Sequence, residues 1–153
     1  MTEPILEPDY PSPFGYKTAW YAIKCDTPDI VIEKLGLRLI SKANWESGIR
    51  CIYARGDIFV SPFINGYLLS IGLIDVTQEN VIEHSLLFDE LQYFATHRVV
   101  EFHAWAKFAD HNLIRAYSYC GDQGEISWNF GALTEIEKNL ELDKLPKSSD
   151  DLV

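Results

Sequence analysis

The sequence has few basic residues for its acidic content. Lys and Arg together number 13 against 23 for Asp and Glu, which gives a formal net charge of -10. A protein that binds a phosphate backbone needs a basic patch that releases counterions, so this charge argues against nucleic-acid binding and against anionic membrane surfaces. The same charge attracts a basic partner protein at long range, or serves solubility alone. We therefore expect no nucleic-acid partner and no membrane partner.

Long apolar runs and metal-like cysteine spacings are also missing. No run approaches the roughly 20 apolar residues that span a bilayer. The N-terminal stretch MTEPILEPDYPSPFGYK carries acids and prolines where a signal peptide has basic residues and an apolar run. The cysteines are an odd number, with no spacing typical of a metal site: Cys25, Cys51 and Cys120. We expect free thiols in a reducing compartment, and hence a cytoplasmic protein without a metal or a cofactor.

Apolar and aromatic residues, by contrast, are abundant. They make up 47% and 13% of the 153 residues, enough for a single domain with a substantial core. Several prolines fall within residues 1–14, which predicts an extended arm. Residues 15–145 are expected to form the domain, and residues 146–153, PKSSDDLV, a loose tail.

Turn and capping residues divide the domain into strands and helices. The predicted helices each follow a capping threonine: Thr27, Thr77 and Thr134. His84, in the middle of the second helix, is assigned to its surface. The sequence pattern of residues 16–25 and 37–73, the latter including Trp45, predicts strands. Three further strands predicted within residues 92–130 indicate an antiparallel meander. The expected fold is α+β, a mostly antiparallel sheet with two to three helices packed on one side.

The stretch THRVVEFHAWAKF, residues 96–108, alternates between two kinds of side chain. A strand sends alternate side chains to opposite faces. One face is then apolar, with Val100, Phe102, Ala104, Ala106 and Phe108. The other is polar and titratable, with His97, Val99, Glu101, His103, Trp105 and Lys107. If residues 110–112 form the following hairpin loop, both faces stay consistent, with Trp105 opposite Tyr117 and Lys107 opposite Arg115.

This register gathers residue types that dominate binding hot spots. The resulting aromatic-polar patch consists of Glu101, His103, Trp105, Arg115, Tyr117 and Tyr119. It is interpreted as a partner-binding face or as a solvated sheet face with cross-strand polar pairs. Catalysis by His103 with Glu101, about 6.6 Å apart along a strand, has no accompanying nucleophile. His97 and His103 lie about 20 Å apart in a straight strand, too far to share a metal ion.

The C-terminal half carries a resemblance to other proteins. The stretch YFATHRVVEFHAWAKF…LIRAYSYCGDQGEISWN, followed by LTEIE, resembles a set of small uncharacterised bacterial proteins. That set has no established activity, so the resemblance implies no catalytic residue. In general character, as a small acidic α+β domain without enzymatic motifs, the chain resembles immunity proteins of contact-dependent or secreted toxin systems. As a class, such proteins bind a cognate toxin domain and occlude its active site, often through acidic residues.

Three hypotheses for the function follow. The first is an immunity-type protein that uses the patch to bind and neutralise a basic toxin domain. Electrostatic support for that interface is expected from Asp89, Glu90 and Asp122. The second is a small hydrolase or isomerase in which His103 and Glu101 act on a substrate held by Arg115. The third is a homodimeric structural or regulatory module joined through the same face. The first is favoured, because the net charge and the lack of a catalytic constellation fit it best.

Overall fold

The computed structural model describes residues 6–15, 17–72 and 76–146. The strands in these ranges form one antiparallel sheet of seven strands, in the order β2-β3-β1-β4-β5-β6-β7. They are β1 Lys17–Lys24, β2 Phe59–Val60, β3 Tyr67–Ile71, β4 Glu90–His97, β5 Phe102–Ala109, β6 Asn112–Cys120 and β7 Glu125–Phe130. Strands β4, β5, β6 and β7 lie side by side in chain order, so the C-terminal half is a meander.

Helices connect the strands and begin at recognisable capping residues. The described α-helices are α1 Pro28–Lys34, α2 Trp45–Arg55, α3 Gln78–Ser85 and α4 Glu135–Asn139, with short 3-10 helices at Arg98–Val100 and Leu142–Lys144. Thr77 and Thr134 each accept a hydrogen bond from a backbone N–H of the first turn, as predicted. Thr27 stands at the start of α1 but makes no side-chain cap. The α+β class, the antiparallel sheet and the C-terminal meander are confirmed.

Residues 45–55 form a helix, so the prediction of strands for this stretch is wrong. Asn44 caps the helix, because its side chain accepts the N–H of Ser47 at 3.0 Å while the Ser47 hydroxyl accepts the N–H of Asn44 at 3.1 Å. The carboxylate of Asp9, in the N-terminal arm, accepts the next two backbone N–H groups at 2.6 and 2.9 Å. Buried apolar residues recur at helical spacing along this segment: Trp45, Ile49 and Ile52.

Both faces of the sheet are covered, because its strands carry apolar side chains on both sides. On the first face, α1 and α3 pack against a core that includes Tyr21 and Leu91. On the second face, α2 packs against Ile71 and Trp20. The sequence pattern places two to three helices on one side, whereas the described residues hold four α-helices divided between both faces. Along the strands, large rings such as Trp20 alternate with the residues that face the first core, so these rings lie on the second face. Helices on the second face are needed to shield them from water.

The stretch predicted as one long strand through residues 92–108 is two strands in the structure. The 3-10 helix Arg98–Val100 separates β4 from β5. Glu101 closes this turn in the left-handed conformation, with φ 52°, and donates its N–H to the carbonyl of Arg98 at 3.1 Å. The meander therefore has four strands instead of three. The turn contains no Gly, Pro or Asn, and its two valines favour strands, so the sequence pattern does not reveal it.

The predicted cross-strand pairs between β5 and β6 are confirmed: Trp105 lies opposite Tyr117, and Lys107 lies opposite Arg115. The hairpin loop has two residues rather than three. These are Asp110 and His111, with φ 50° and 64°, the signs required in a tight two-residue hairpin turn. A β-bulge compensates for the shorter loop, because Ile114 is the extra residue of β6 where the register shifts. Beyond the bulge, Arg115 and Tyr117 therefore lie on the face of the sheet that the prediction gave them.

The predicted arm and tail are described in part. Residues 6–15 contain neither helix nor strand. Residues 1–5 of the predicted arm and residues 147–153 of the predicted tail lie outside the described residues. Pro146, the first residue of the predicted tail, accepts a hydrogen bond from the hydroxyl of Tyr117 at 2.7 Å.

His84 is half-buried in the structure, not a simple surface residue of its helix. Its Nδ1 lies 2.6 Å from the hydroxyl of Tyr21, a side chain with no solvent exposure. Burial raises the pKa of the Tyr21 phenol above its ordinary value, so the hydroxyl stays protonated at neutral pH. Burial also lowers the pKa of His84 from its ordinary value of 6.5. The folded protein therefore favours a neutral imidazole at this position.

This pair makes stability depend on pH. The unfolded chain protonates His84 near 6.5 and the folded chain only at lower pH, so protonation favours the unfolded chain as the pH falls below 6.5. We expect the free energy of unfolding to drop over that window by at most about 1.4 kcal/mol per pH unit. Urea unfolding of the wild type and of His84→Gln between pH 8 and pH 5 measures the difference. Parallel curves for the two proteins would contradict the prediction.

Candidate protein-binding face

The aromatic-polar patch lies on the second face of the sheet, on β5 and β6. Pairing places His103 opposite Tyr119 and Trp105 opposite Tyr117. Directly opposite residues share a face, and the rings of Trp105 and Tyr117 are 4.9 Å apart at 30°. Glu101 precedes β5 at the same end of the sheet. The structure therefore gathers the residues of the predicted patch, and their exposure decides which of them a partner meets.

Two residues of the patch, Arg115 and Tyr117, are buried, with 5% and 3% of their surface exposed. The segment of residues 134–146 covers them. Its Pro146 carbonyl accepts the Tyr117 hydroxyl, and burial raises the pKa of that phenol so that it remains a donor. With this segment in place, the surface of the patch consists of the exposed Glu101 and His103 and the half-buried Trp105 and Tyr119.

Glu137 anchors the covering segment. The sequence analysis did not predict a role for this residue. Its carboxylate accepts hydrogen bonds from Nε of Arg115 at 3.1 and 3.0 Å and forms an ion pair with Nη2 at 2.9 Å. The remaining Nη1 donates to the carbonyl of Phe130 at 3.0 Å. The guanidinium is thus held by both α4 and the end of β7. The available signal was the capping box, in which Thr134 is followed three residues later by Glu137.

The ion pair also sets the protonation state of Glu137. Burial raises the pKa of its carboxyl, but the hydrogen bonds and charge of Arg115, together with those of Thr134, outweigh burial and hold the pKa below its ordinary value of 4.5. The carboxylate is therefore charged in the folded protein at neutral pH. The pair's contribution to stability is present above pH 4.5 and is lost as the pH falls through the folded value.

Glu101 occupies a strained position at the exposed end of the patch. A left-handed backbone costs most L-residues roughly 1–2 kcal/mol, and Glu is not among the residues that adopt it readily. Its carboxylate lies against Gly121, where a Cβ would overlap Glu101 Oε2 and stand 3.1 Å from the hydroxyl oxygen of Tyr119. The turn and this glycine together make room for a carboxylate beside Tyr119.

His103 has Thr96 as its hydrogen-bond partner. Its Nδ1 is 3.0 Å from the Thr96 hydroxyl oxygen. Within the part of the chain that the structure describes, no hydrogen bond or ion pair joins His103 to Glu101. The acid–base pair that the hydrolase hypothesis requires is therefore not formed in this arrangement.

The two histidines considered as a metal pair lie on neighbouring strands, because the chain turns between them. Thr96 pairs with His103, whereas His97 pairs with Phe102, so the imidazoles belong to opposite faces of the sheet. Over residues 6–15, 17–72 and 76–146, no group of three or more His, Cys, Asp or Glu side chains could hold a metal ion. The described cysteines are free, half-buried thiols: Cys25, Cys51 and Cys120.

The acids expected to support the patch are divided between the two ends of the sheet. Asp122 lies next to the exposed end, because its N–H donates to the carbonyl of Val100 at 3.2 Å. Asp89 and Glu90 lie at the far end of β4, where Glu90 accepts a hydrogen bond from the Tyr67 hydroxyl at 2.9 Å. Of these three acids, only Asp122 thus lies near Glu101.

Comparison with known proteins assigns no role to any of these residues. The chain matches no protein-family model, no curated protein and no solved structure. Among the helices described, none has the length and apolar character needed to cross a membrane.

The buried ion pair predicts a large effect of substituting Glu137. Glu137→Gln leaves the Arg115 guanidinium buried without a counter-charge, so we expect the free energy of unfolding to fall by about 3 kcal/mol. The matched control is Glu135→Gln on the same helix, whose pair with Lys138 at 3.1 Å is exposed. That change should stay within about 0.5 kcal/mol. Chemical denaturation of both variants tests the prediction, and equal effects would refute it.

Proposed function

We propose that the chain is an immunity-type protein that binds a basic protein domain of the toxin class and masks its active site. The interface is the exposed end of the patch: Glu101, His103 and the half-buried Tyr119 and Trp105. The observation that carries the proposal is the strained Glu101, whose carboxylate is held beside Tyr119 by a left-handed backbone and by the space above Gly121.

Strain of this kind supports a functional reading. A glycine or asparagine at position 101 would close the same turn at lower cost, which supports a role for the glutamate side chain. Glu141 adopts the same backbone conformation, with φ 57°, so the argument for Glu101 rests also on its place beside Tyr119. The carboxylate at the end of the patch is suited to accept a Lys or Arg side chain of a partner, and a charge-assisted hydrogen bond is among the stronger polar contacts. Tyr119 and Trp105 beside it supply rigid aromatic area.

The charge of the chain supports the choice of a basic partner. With a net charge of -10, the protein steers a basic domain toward itself and repels acidic ones. Asp122 concentrates part of this charge next to Glu101. The rate of association should accordingly fall as the salt concentration rises, because exposed charges are screened over about 10 Å at 0.1 M.

The two other hypotheses have no observation of their own in their favour. The hydrolase reading lacks the contact between His103 and Glu101, and its proposed substrate-holding group, Arg115, is engaged by Glu137. A homodimer through the whole sheet face would require Arg115 and Tyr117 at the surface, where the segment of residues 134–146 now covers them. Both remain predictions from the sequence.

Replacing Glu101 separates function from stability. We expect Glu101→Gly to raise the free energy of unfolding by about 0.5 kcal/mol, since relief of the left-handed strain exceeds the entropy cost of glycine. The same change should weaken binding of the partner about tenfold or more, because the charge-assisted contact is lost. The partner is captured from native lysate on the immobilised wild-type chain, identified, and titrated against both proteins by calorimetry.

Two further variants make that test specific. Glu101→Gln keeps the strain but removes the charge, so it should lose binding without gaining stability. Glu33→Gln, an exposed position on α1, makes the same charge change away from the patch and should bind as the wild type does. Capture of a partner whose affinity is unaffected by both Glu101 variants would place the interface elsewhere and end the proposal.

A further inference from the structure

The helix cover of the first face stops short of β7, the last strand of the meander. First-face residues of the inner strands are buried, among them Leu91, Ala106 and Ala116. Phe130 lies directly opposite Ala116 and therefore on the same face, yet its side chain is 50% exposed. Trp128, two residues earlier on β7, packs against the first core but is only half-buried. This corner of the sheet thus presents aromatic surface to water.

Helix α3 borders this corner and adds to its apolar surface. Gln78, in the first turn, donates to the carbonyl of Ser127 on β7 at 3.3 Å, whereas His84 contacts β1 from the other side of the helix. Ile82 follows Gln78 by one helical turn and Leu86 follows by a second, so both lie toward the β7 side. They are 44% and 59% exposed. The apolar corner, as we call it, consists of Ile82, Leu86, Leu113, Trp128 and Phe130.

Acidic side chains border the apolar corner. Glu79 and Glu83 each precede an apolar residue of the corner by three positions on α3, so they are its neighbours on the helix surface. The exposed acids lie on α3, at the hairpin beside its end and at the start of β7: Glu79, Glu83, Asp89, Asp110 and Glu125. Two basic side chains in this region, Lys34 and His111, already lie beside a carbonyl and a carboxylate. The corner is therefore apolar at its centre and negative at its rim.

The shape of the corner suits a helix. A helix laid beside α3, with the two axes about 8–10 Å apart, would contact Ile82 and Leu86 on one flank and Phe130 on the other. An amphipathic helix buries its apolar stripe in such a place and keeps its polar face at the rim. It would extend the helix layer of the first face over β7.

The charge of the rim selects the kind of helix. Because the rim is acidic, Lys or Arg on the polar face of the helix complements it. A second copy of this chain fits less well, since a symmetric contact would bring the same acids against each other. We infer that the apolar corner binds a basic amphipathic helix of another protein. The corner lies on the opposite face of the sheet from the patch and does not depend on the proposed partner of the patch.

Nuclear magnetic resonance titration of the whole chain with designed peptides tests the inference. The probe is an amphipathic helix of about four turns, built from Leu and Lys at helical spacing. One control peptide has the same composition in an order without an apolar stripe, and the other carries Glu in place of Lys. We expect a dissociation constant of about 100 μM for the probe and binding at least about tenfold weaker for both controls. The saturable shifts should centre on α3, Leu113 and β7.

Substitutions connect binding to the named side chains. Ile82→Ser should weaken binding of the probe about tenfold, because its exposed surface is lost as apolar contact. The matched control is Ile40→Ser, in the loop between α1 and α2, where the isoleucine is 60% exposed; this change should leave the affinity unchanged. Thermal unfolding checks that Ile82→Ser is folded. If it is not, Leu86→Ser replaces it, with the same loss of affinity expected.

Four results of the titrations would overturn the inference: unsaturable shifts, shifts centred on the patch, equal binding of the peptide without a stripe, or a folded corner variant that binds as the wild type does. Sedimentation of the chain alone at high concentration tests the alternative occupant. We expect a monomer. A dimer that Ile82→Ser dissociates would assign the corner to a second copy and also overturn the inference.

Discussion

The second face of the sheet needs cover, and the arrangement of the rest of the molecule depends on that need. Strands β1, β4, β5 and β6 place a row of aromatic rings across this face, and each ring lies opposite the next: Trp20, Phe94, Trp105 and Tyr117. Exposing such a row to water would cost about 25 cal/mol for each Å² of apolar surface. α2 and the arm cover one end, and residues 134–146 cover the other. The exposed end of the patch lies at the border of this cover.

The buried ion pair of Arg115 with Glu137 explains why the cover at the C-terminal end is held in one place. Two buried charges gain little net stability over apolar residues of the same size, because desolvation offsets their attraction. They do specify geometry, since a guanidinium bound by a carboxylate and by a backbone carbonyl fits one docking arrangement of α4. That arrangement hides Arg115 and Tyr117 and leaves Glu101 at the surface. The ion pair thus decides which side chains of the patch a partner meets.

Local alternation and capping residues predicted much of the fold. The alternation of apolar and polar residues in β5 and β6 correctly predicted the pairing of Trp105 with Tyr117. It did not predict the two-residue loop or the β-bulge that compensates for it. The sequence pattern does not reveal the turn before Glu101, because strain there is imposed by the two strands it joins. The burial of Arg115 depends on the packing of α4, which is distant in sequence. The alternation of side chains along a strand contains no information about that packing.

Hydrogen exchange of the chain, free and bound to its captured basic partner, tests the central claim most directly. Backbone N–H groups at the exposed end of the patch should become protected on binding, at residues 101–103 and 119–122, because the partner would exclude water there. The face covered by α1 and α3 should exchange as in the free protein. Protection confined to that face, or to the arm, with the end of the patch unchanged, would contradict the account.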